Sequence, residues 1–319
     1  EDGIRDVAVT GVQTCALPIW HRLGAMATQC LLGAVLVLGC TVAPASAQID
    51  ITGSFNAIFN EDQPERVPGP SLGDYLGLPI NDAARAYADA WEPSRLTVPE
   101  QQCRAHASPY IMRGPLNLRI WDERDPQTQQ VVALHMDISN FQQRRTIWMD
   151  GRPHPSEYAE HTWMGFSTGE WRGETLVVTT THIKQMWHRR NGLPQSDQTR
   201  LTEYFTLHGD VLTQTTYTDD PVYLTEPLVK TTNIRKNPRP LPAQQLLYPC
   251  IGVVEIADQP RGAVPHYPPG ENPFLRDFGV EYNIPYPATR GGAATMYPEY
   301  RANLKGAGLV HNNPATTAR

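Results

Sequence analysis

The chain has 319 residues, a formal net charge of −6 at pH 7 and 40% hydrophobic residues. This length suits one large domain or one domain with extensions. The acidic balance lacks the basic footprint that nucleic-acid binding requires, so we expect no nucleic-acid partner.

The first segment of the chain does not look like natural protein sequence. Val9–Ile19 reads VTGVQTCALPI, which resembles a translated sequencing-library adapter. Residues 1–19 are therefore expected to contribute nothing to the fold, like a cloning scar.

Residues 20–47 are typical of a bacterial export signal. Arg22 supplies positive charge, Cys30–Val42 is apolar, and Ala45-Ser46-Ala47 matches an A-x-A cleavage site. The apolar run is shorter than the roughly 20 residues of a spanning helix, so we expect no transmembrane span after cleavage. The prediction is a periplasmic or secreted protein. Lipoprotein processing at Cys40 and a buried cytosolic helix are the alternatives.

Two cysteines remain after the signal, Cys103 and Cys250. A single cysteine pair in an exported chain predicts a disulfide. A bridge between them would close a loop of roughly 150 residues and stabilise the fold by about 4–5 kcal/mol. The alternative is two buried free thiols.

The elements before residue 116 are predicted from pattern. Gln48–Asn60 alternates and predicts a first strand. Glu61–Leu78 is rich in Pro and Gly and predicts an extended arm. Asn81–Trp91 predicts a helix with Asn81 as its N-cap and Asp82 in its first turn.

From residue 116 onward, short alternating segments follow one another with turns between them. The predicted strands are Leu116–Trp121, Val131–Ile138, Thr146–Met149, Thr175–Ile183, Arg200–Leu207, Val211–Tyr217 and Leu228–Ile234. This pattern predicts a mostly β protein, an antiparallel meander forming a lipocalin-like barrel. Residues 48–115 would be an N-terminal arm with one short helix, residues 116–250 the barrel domain, and residues 251–319 a Pro/Gly-rich C-terminal wrap and tail.

The DGRPHP segment is the first candidate site. Asp150-Gly151 is a hairpin-turn signal, and Arg152 and His154 follow a strand end, where binding residues are common. Arginine suits a carboxylate or phosphate, and histidine suits acid–base chemistry or metal ligation. In the alternative interpretation the loop is structural, with Asp150 accepting turn amides and pairing with Arg152.

His154, Glu157 and His161 are a weak candidate metal set. Histidine and carboxylate are legitimate zinc or iron ligands. Their spacing matches no zinc-protease motif, however, and Pro155 disfavours the helix that would bring them to one face. We assign no metal, and the cofactor is unknown.

Two further histidines lie on the less apolar faces of predicted strands. His135 and His182 could point into one cavity together with Arg119 or Glu203, if the barrel interior is polar. Surface exposure is the alternative for both. Most of the tryptophans are expected in the core.

Several catalytic signatures are absent from the sequence, including G-x-G-x-x-G, the Walker A motif and C-x-x-C. Gly165–Gly169 formally fits G-x-S-x-G. A nucleophile elbow needs a helix after the serine, and a strand follows here. Ser167 is therefore not predicted as a nucleophile, and the glycines are predicted as bulge or turn positions.

Four blocks resemble a family of uncharacterised exported bacterial proteins. They are DYLGLPINDAAR at Asp74–Arg85, IWMDGRPHP at Ile147–Pro155, HTWMGFSTGEWRGETLVV at His161–Val178 and DPVYLTEP at Asp220–Pro227. The resemblance implies an exported single-domain protein and no particular reaction.

The leading hypothesis is an exported protein that binds a small molecule at the barrel mouth; the ligand is partly apolar and can be anionic. The residues expected to contact this ligand are Trp148, Asp150, Arg152, His154, His161, Trp163 and His135. One alternative is a lyase, isomerase or hydrolase with His154 or His182 as base and Arg152 as anion clamp. Another is an envelope structural or assembly subunit that docks a protein partner through its Pro-rich arms.

Overall fold

The structure is a computed structural model that describes residues 49–58, 69–114, 117–239, 250–252 and 262–306. The predicted adapter segment, residues 1–19, and the predicted export signal, residues 20–47, lie outside these residues. Within the described ranges, no helix combines the length and the apolar character that crossing a membrane requires.

A β-barrel of nine strands dominates the fold, as predicted. The barrel order is β1-β11-β10-β9-β6-β5-β4-β3-β2, and β7 pairs with β8 in a separate hairpin. The strands are β1 (Gly53–Ala57), β2 (Asn117–Arg124), β3 (Val131–Ile138), β4 (Gln143–Trp148), β5 (Phe166–Arg172), β6 (Thr175–Thr181), β7 (Met186–Arg189), β8 (Leu193–Gln195), β9 (Arg200–His208), β10 (Val211–Asp219) and β11 (Leu228–Lys236).

One strand pair departs from the antiparallel pattern. β4 and β5 run parallel and are joined only through Ile147–Ser167 and Trp148–Thr168. Parallel neighbours cannot be joined by a tight hairpin and need a crossover connection. The hairpin predicted at Asp150-Gly151 is therefore wrong. Residues 149–165, here called the crossover, return the chain to the start of β5.

The barrel interior is apolar over most of its length. Alternate residues of each strand point inward; Leu134, Met136 and Ile138 of β3 are examples. They pack with inward side chains of the other strands, including Phe55, Leu118, Ile120, Ile147, Leu176, Val178, Phe205, Leu212 and Ile234. Burial of this cluster is the main stabilising term of the barrel.

Cys103 and Cys250 form the predicted disulfide. Their Cα atoms lie 5.6 Å apart and the residues are separated by 147 positions in the chain. The free-thiol alternative is thereby excluded. The bridge ties the end of the β-barrel region to the N-terminal arm.

The helices are short. α1 (Asp82–Asp89) begins at Asn81, whose side-chain oxygen accepts from the Ala84 backbone N–H at 2.9 Å, as predicted. The others are α2 (Pro99–Gln102), α3 (Ser108–Ile111), α4 (Asp277–Glu281), α5 (Tyr286–Thr289) and α6 (Pro298–Gly306), with 3-10 turns at Pro93–Thr97, Pro273–Arg276 and Gly292–Met296. The single helix predicted from sequence undercounts them, because several of these proline-rich segments use proline to start a helical turn.

The C-terminal segment packs against the N-terminal arm. The Tyr75 N–H donates to the Thr289 carbonyl at 3.0 Å. Arg290 makes a two-point ion pair with Asp89, at 3.0 and 2.6 Å. Gly73 allows this approach, since a Cβ there would lie 2.3 Å from the Leu275 carbonyl oxygen.

Candidate functional site

Three of the predicted histidines converge at one end of the barrel. His154, His161 and His182 line an open cleft of about 510 Å³ where β6 ends and β9 begins. The remaining lining residues are Pro155, Glu157, Tyr158, Thr181, Asp197, Gln198, Thr199 and Arg200. We call this the histidine cleft.

Backbone pairing holds the crossover against the end of β6. The Thr162 N–H donates to the His182 carbonyl, and the Lys184 N–H donates to the Thr162 carbonyl, both at 2.9 Å. This short parallel bridge between Thr162 and Ile183 brings the rings of His161 and His182 to a centroid distance of 5.2 Å.

Asp220 fixes the opposite wall of the cleft. Its buried carboxylate accepts from the Ser196 N–H at 2.8 Å, from Ser196 Oγ at 2.6 Å and from Thr199 Oγ1 at 3.2 Å. Burial raises the pKa of Asp220, but His188 and Ser196 outweigh it and set the pKa to about 2. The anionic carboxylate therefore shapes the turn that presents Arg200.

A chain of hydrogen bonds runs through the cleft, and its direction can be assigned. His182 Nε2 lies 2.8 Å from the Ser156 carbonyl oxygen, which can only accept, so Nε2 carries the proton. With both rings neutral, His182 Nδ1 accepts from Thr181 Oγ1 at 2.7 Å. That hydroxyl then accepts from His154 Nδ1 at 2.7 Å, and His154 Nε2 accepts from Thr168 Oγ1 at 2.9 Å.

The environment of His154 favours the neutral ring that this chain requires. Burial lowers the pKa of His154, and the nearby His182 and Arg200 lower it further. Phe166 packs edge-on against the ring at 5.3 Å. Because both ring nitrogens are bonded to threonine hydroxyls, His154 organises the wall rather than offering an open nitrogen.

His161 is arranged differently. Its Nδ1 lies 3.1 Å from the Ile183 carbonyl oxygen and must donate to it. Nε2 of the neutral ring is therefore an acceptor, and it has no hydrogen-bond partner in the part of the chain that the structure describes. A histidine held in this way presents a basic nitrogen to the cleft.

The backbone around the cleft is conformationally special. His182 adopts φ +57°, a left-handed conformation that costs roughly 1–2 kcal/mol for a residue with a Cβ. Such strain is concentrated at functional sites. Gly165 is required nearby, because its φ is +71° and a Cβ would lie 2.5 Å from the Thr181 carbonyl oxygen.

Arg152 does not face the histidines. Its guanidinium forms a two-point ion pair with Asp150, including Nε–Oδ1 at 2.9 Å, and it lies 3.5 Å from the ring centroid of Trp148. The pKa of Arg152 is raised by its hydrogen bond to Asp150. The cation that lines the cleft is Arg200, which makes no ion pair within the described residues.

Trp148 and Trp163 lie beside the histidine cleft rather than in it. Together with Phe166 they line a neighbouring groove of about 420 Å³ at the opening between β4 and β5. Arg152, paired with Asp150, covers the face of the Trp148 ring.

His135 lies elsewhere, on the outer face of β3. Its ring nitrogens lie 3.1 Å from Thr146 Oγ1 and 2.8 Å from Glu123 Oε2, and the ring stacks on Trp121 at 5.2 Å. The predicted cavity shared by His135 and His182 is therefore not formed: Arg119 is exposed, and Glu203 points into the barrel.

The candidate metal set gains no geometric support. Glu157 and His161 line the cleft, while the His154 nitrogens are bonded to threonines. Among the described residues, no three His, Cys, Asp or Glu side chains are arranged to hold a metal ion.

A buried polar cluster lies directly behind the cleft wall. Arg145 and Glu203 pair inside the barrel, and Arg145 also donates to Ser167 Oγ at 3.2 Å and to Thr180 Oγ1 at 2.8 Å. Gln214 donates to Glu203 at 2.7 Å. Ser167 is thus a buried structural hydroxyl, consistent with rejecting it as a nucleophile.

Sequence reasoning missed Thr168, Thr181, Arg200 and Arg145. Two of them had a readable signal. Ser167 and Thr180 point inward, so strand alternation places Thr168 and Thr181 on the outer face that His154 covers. Arg200 follows a turn that Asp220 holds in place. Asp220 is distant in sequence, so the local pattern around Arg200 does not predict its position.

The fold and site define a β-barrel protein with an internal disulfide and a histidine-lined cleft at one end. No protein-family model matches the sequence, and no curated protein matches it significantly. A solved structure, secretory abundant heat soluble protein 4 from Ramazzottius varieornatus, is similar at 12% identity and a TM-score of 0.28, covering 58% of this chain and 94% of that one. A likeness at this level carries no argument about function.

Proposed function

We propose that this protein is exported and binds a small molecule non-covalently in the histidine cleft. The observation that carries the proposal is the pairing of an open acceptor, His161 Nε2, with an exposed cation, Arg200, across one cleft. A matching ligand offers a hydrogen-bond donor to His161 Nε2 and an anionic group to Arg200. The disulfide supports an oxidising compartment.

The rigid wall also favours binding. The hydrogen-bond chain from Thr168 to the Ser156 carbonyl fixes both His154 and His182 before any ligand arrives. Preorganised polar groups lower the entropy cost of ligand binding. Arg152 then contributes indirectly, by holding Trp148 beside the cleft.

An enzyme remains the second candidate, and His161 is the specific reason. A histidine whose Nδ1 is held by a carbonyl and whose Nε2 is open has the arrangement of a general base. In this reading His161 replaces His154 and His182 as the base, and Arg200 replaces Arg152 as the anion contact.

Native mass spectrometry on residues 48–319 purified from a periplasm tests the binding proposal. We expect a retained organic mass on the wild-type chain that is lost on a His161→Gln/Arg200→Gln variant. Arg172→Gln is the matched control, because Arg172 is exposed and paired with Glu170. Equal retention by both variants would place the molecule elsewhere.

If the purified chain carries nothing, a thermal-shift panel of small carboxylates and amino acids gives the second test. A compound that stabilises the wild type but not the cleft variant supports the proposal. If no compound in the panel stabilises the wild type, the binding proposal is rejected. Turnover of a panel compound that is lost with His161→Gln would instead favour the enzyme.

A further inference from the structure

A second, smaller pocket lies away from the histidine cleft, between the N-terminal helices and β7. It has a volume of about 140 Å³. Trp91, Met186 and Trp187 form its apolar wall, and Arg95 and Arg104 are the two charged side chains that line it. We call it the arginine pocket.

Among the residues that the structure describes, two like charges line this pocket and no carboxylate does. Neither Arg95 nor Arg104 makes an ion pair within the described residues. Glu100 acts electrostatically on Arg104 but is not within ion-pair distance, and burial followed by the charge of Arg95 lowers the pKa of Arg104. Holding two guanidinium groups together in a partly buried site is unfavourable unless an anion accompanies them.

Both guanidinium groups are oriented by their surroundings. Arg95 lies over the Trp91 ring at 5.4 Å and Arg104 over the Trp163 ring at 5.9 Å. The amide oxygen of Gln101, in the orientation that satisfies both groups, accepts from the two terminal nitrogens of Arg104 at 3.2 Å. Gln101 is neutral, so it orients Arg104 without cancelling its charge.

Trp187 is a buried indole in the wall of the pocket, so its resonance can report on the pocket's occupancy. It is only 6% exposed, it lines the pocket, and its buried Nε1–H has no acceptor within the described chain. Native proteins rarely keep an unsatisfied buried donor.

We propose that the arginine pocket binds a small oxyanion, either a phosphate or a carboxylate group. Two guanidinium forks supply charge-assisted hydrogen bonds suited to such oxygens, and the Trp91 and Trp187 side chains wall the pocket. The volume accommodates a single phosphate or a short carboxylic acid, and it excludes a ligand of drug size. This pocket shares no lining residue with the histidine cleft, so the two sites are tested separately.

The test is a titration of the disulfide-bonded chain with sodium phosphate and, separately, sodium succinate, with sodium chloride matching the ionic strength. The readout is the indole N–H resonance of Trp187, assigned with Trp187→Phe. We expect a saturable shift with at least one of the two anions, and the anion that binds more tightly identifies the source. No saturable shift with either anion would overturn the proposal.

Variants then locate the site. We expect Arg95→Gln/Arg104→Gln to weaken binding at least about tenfold, as loss of charge-assisted hydrogen bonds predicts. Arg172→Gln is the matched control and should leave the affinity unchanged. Equal affinity for the double variant would also overturn the proposal. The wild-type resonance shift does not depend on whether the Arg95→Gln/Arg104→Gln variant folds.

Discussion

Arg145 and Glu203 form a fully buried two-point ion pair in the wall of a barrel whose interior is otherwise largely apolar. The Nη1–Oε1 distance is 3.0 Å, and the second bond joins Nη2 to Oε2. Ser167, Thr180 and Gln214 satisfy the remaining polar atoms. Charges that leave water in this way are stable only when they are paired and hydrogen-bonded.

We predict that Arg145→Leu destabilises the protein by about 3–5 kcal/mol, because it leaves the Glu203 carboxylate buried without a partner. Arg145→Leu/Glu203→Leu should recover most of this loss, since an apolar pair removes both charges. Urea unfolding at pH 7 measures both values. If the double variant is as unstable as Arg145→Leu, the loss of stability comes from altered packing and not from an unpaired charge.

The disulfide should be the largest single covalent contribution to stability. Closing a loop of 147 residues corresponds to about 4–5 kcal/mol in the chain-entropy model. We expect Cys103→Ser/Cys250→Ser to lose about this amount in denaturant unfolding. The same variant should weaken oxyanion binding in the arginine pocket, because Arg104 adjoins Cys103. Unchanged stability would mean that native contacts alone hold the bridge partners together.

The depressed pKa of His154 predicts a pH dependence of stability. The unfolded ring titrates near its ordinary value of 6.5, while the folded ring stays neutral to lower pH. The unfolded state therefore binds more protons, so stability is full above pH 6.5 and declines as pH falls through the folded pKa. The wild type should have a higher free energy of unfolding than His154→Gln at pH 8. We expect this difference to become smaller as the pH is lowered to 5.

Urea unfolding at these two pH values and at an intermediate one measures that difference. His208→Gln is the control, since His208 is exposed at the β9–β10 turn. If the difference in free energy of unfolding does not change with pH, His154 has the same pKa in the folded and unfolded states.

Gly165 and Gly173 make a matched pair for backbone strain. Both have positive φ, +71° and +61°, but a Cβ at Gly165 would collide with the Thr181 carbonyl, whereas nothing lies within 4 Å of one at Gly173. We expect Gly173→Ala to cost roughly 1–2 kcal/mol from conformation alone. Gly165→Ala should lower the free energy of unfolding by about 1–3 kcal/mol more than Gly173→Ala, because its added methyl group overpacks the site. If thermal unfolding shows the same loss of stability for both variants, β6 moves away from the added methyl group at little cost.

The barrel strands were largely predictable because their side chains alternate. Val131–Ile138 was predicted with its observed bounds. β5 was missed because Gly165 and Gly169 read as turn positions, yet Gly169 lies inside the strand, where a Cβ would meet Met149 at 2.7 Å. A glycine is needed at position 169 because the crossover packs directly on β5 there. This tertiary contact cannot be predicted from the local sequence.

The candidate site was predicted by residue type more than by geometry. His154 and His161 line one cleft, because sequence neighbours on one loop stay close. Arg152 was expected to face them, but Asp150 captures it through a contact two residues away. His182 joins the cleft through the pairing of Thr162 with the end of β6, a contact between distant segments.

The parallel join between β4 and β5 also has a kinetic meaning. With two residue pairs it is the shortest strand pairing in the described barrel, so we expect thermal opening of the barrel to begin there. Parting it would admit water to Ser167 and the Arg145–Glu203 pair from one side, and release the crossover that carries His154 from the other. Opening of the β4–β5 pairing would therefore disturb the candidate site at the same time.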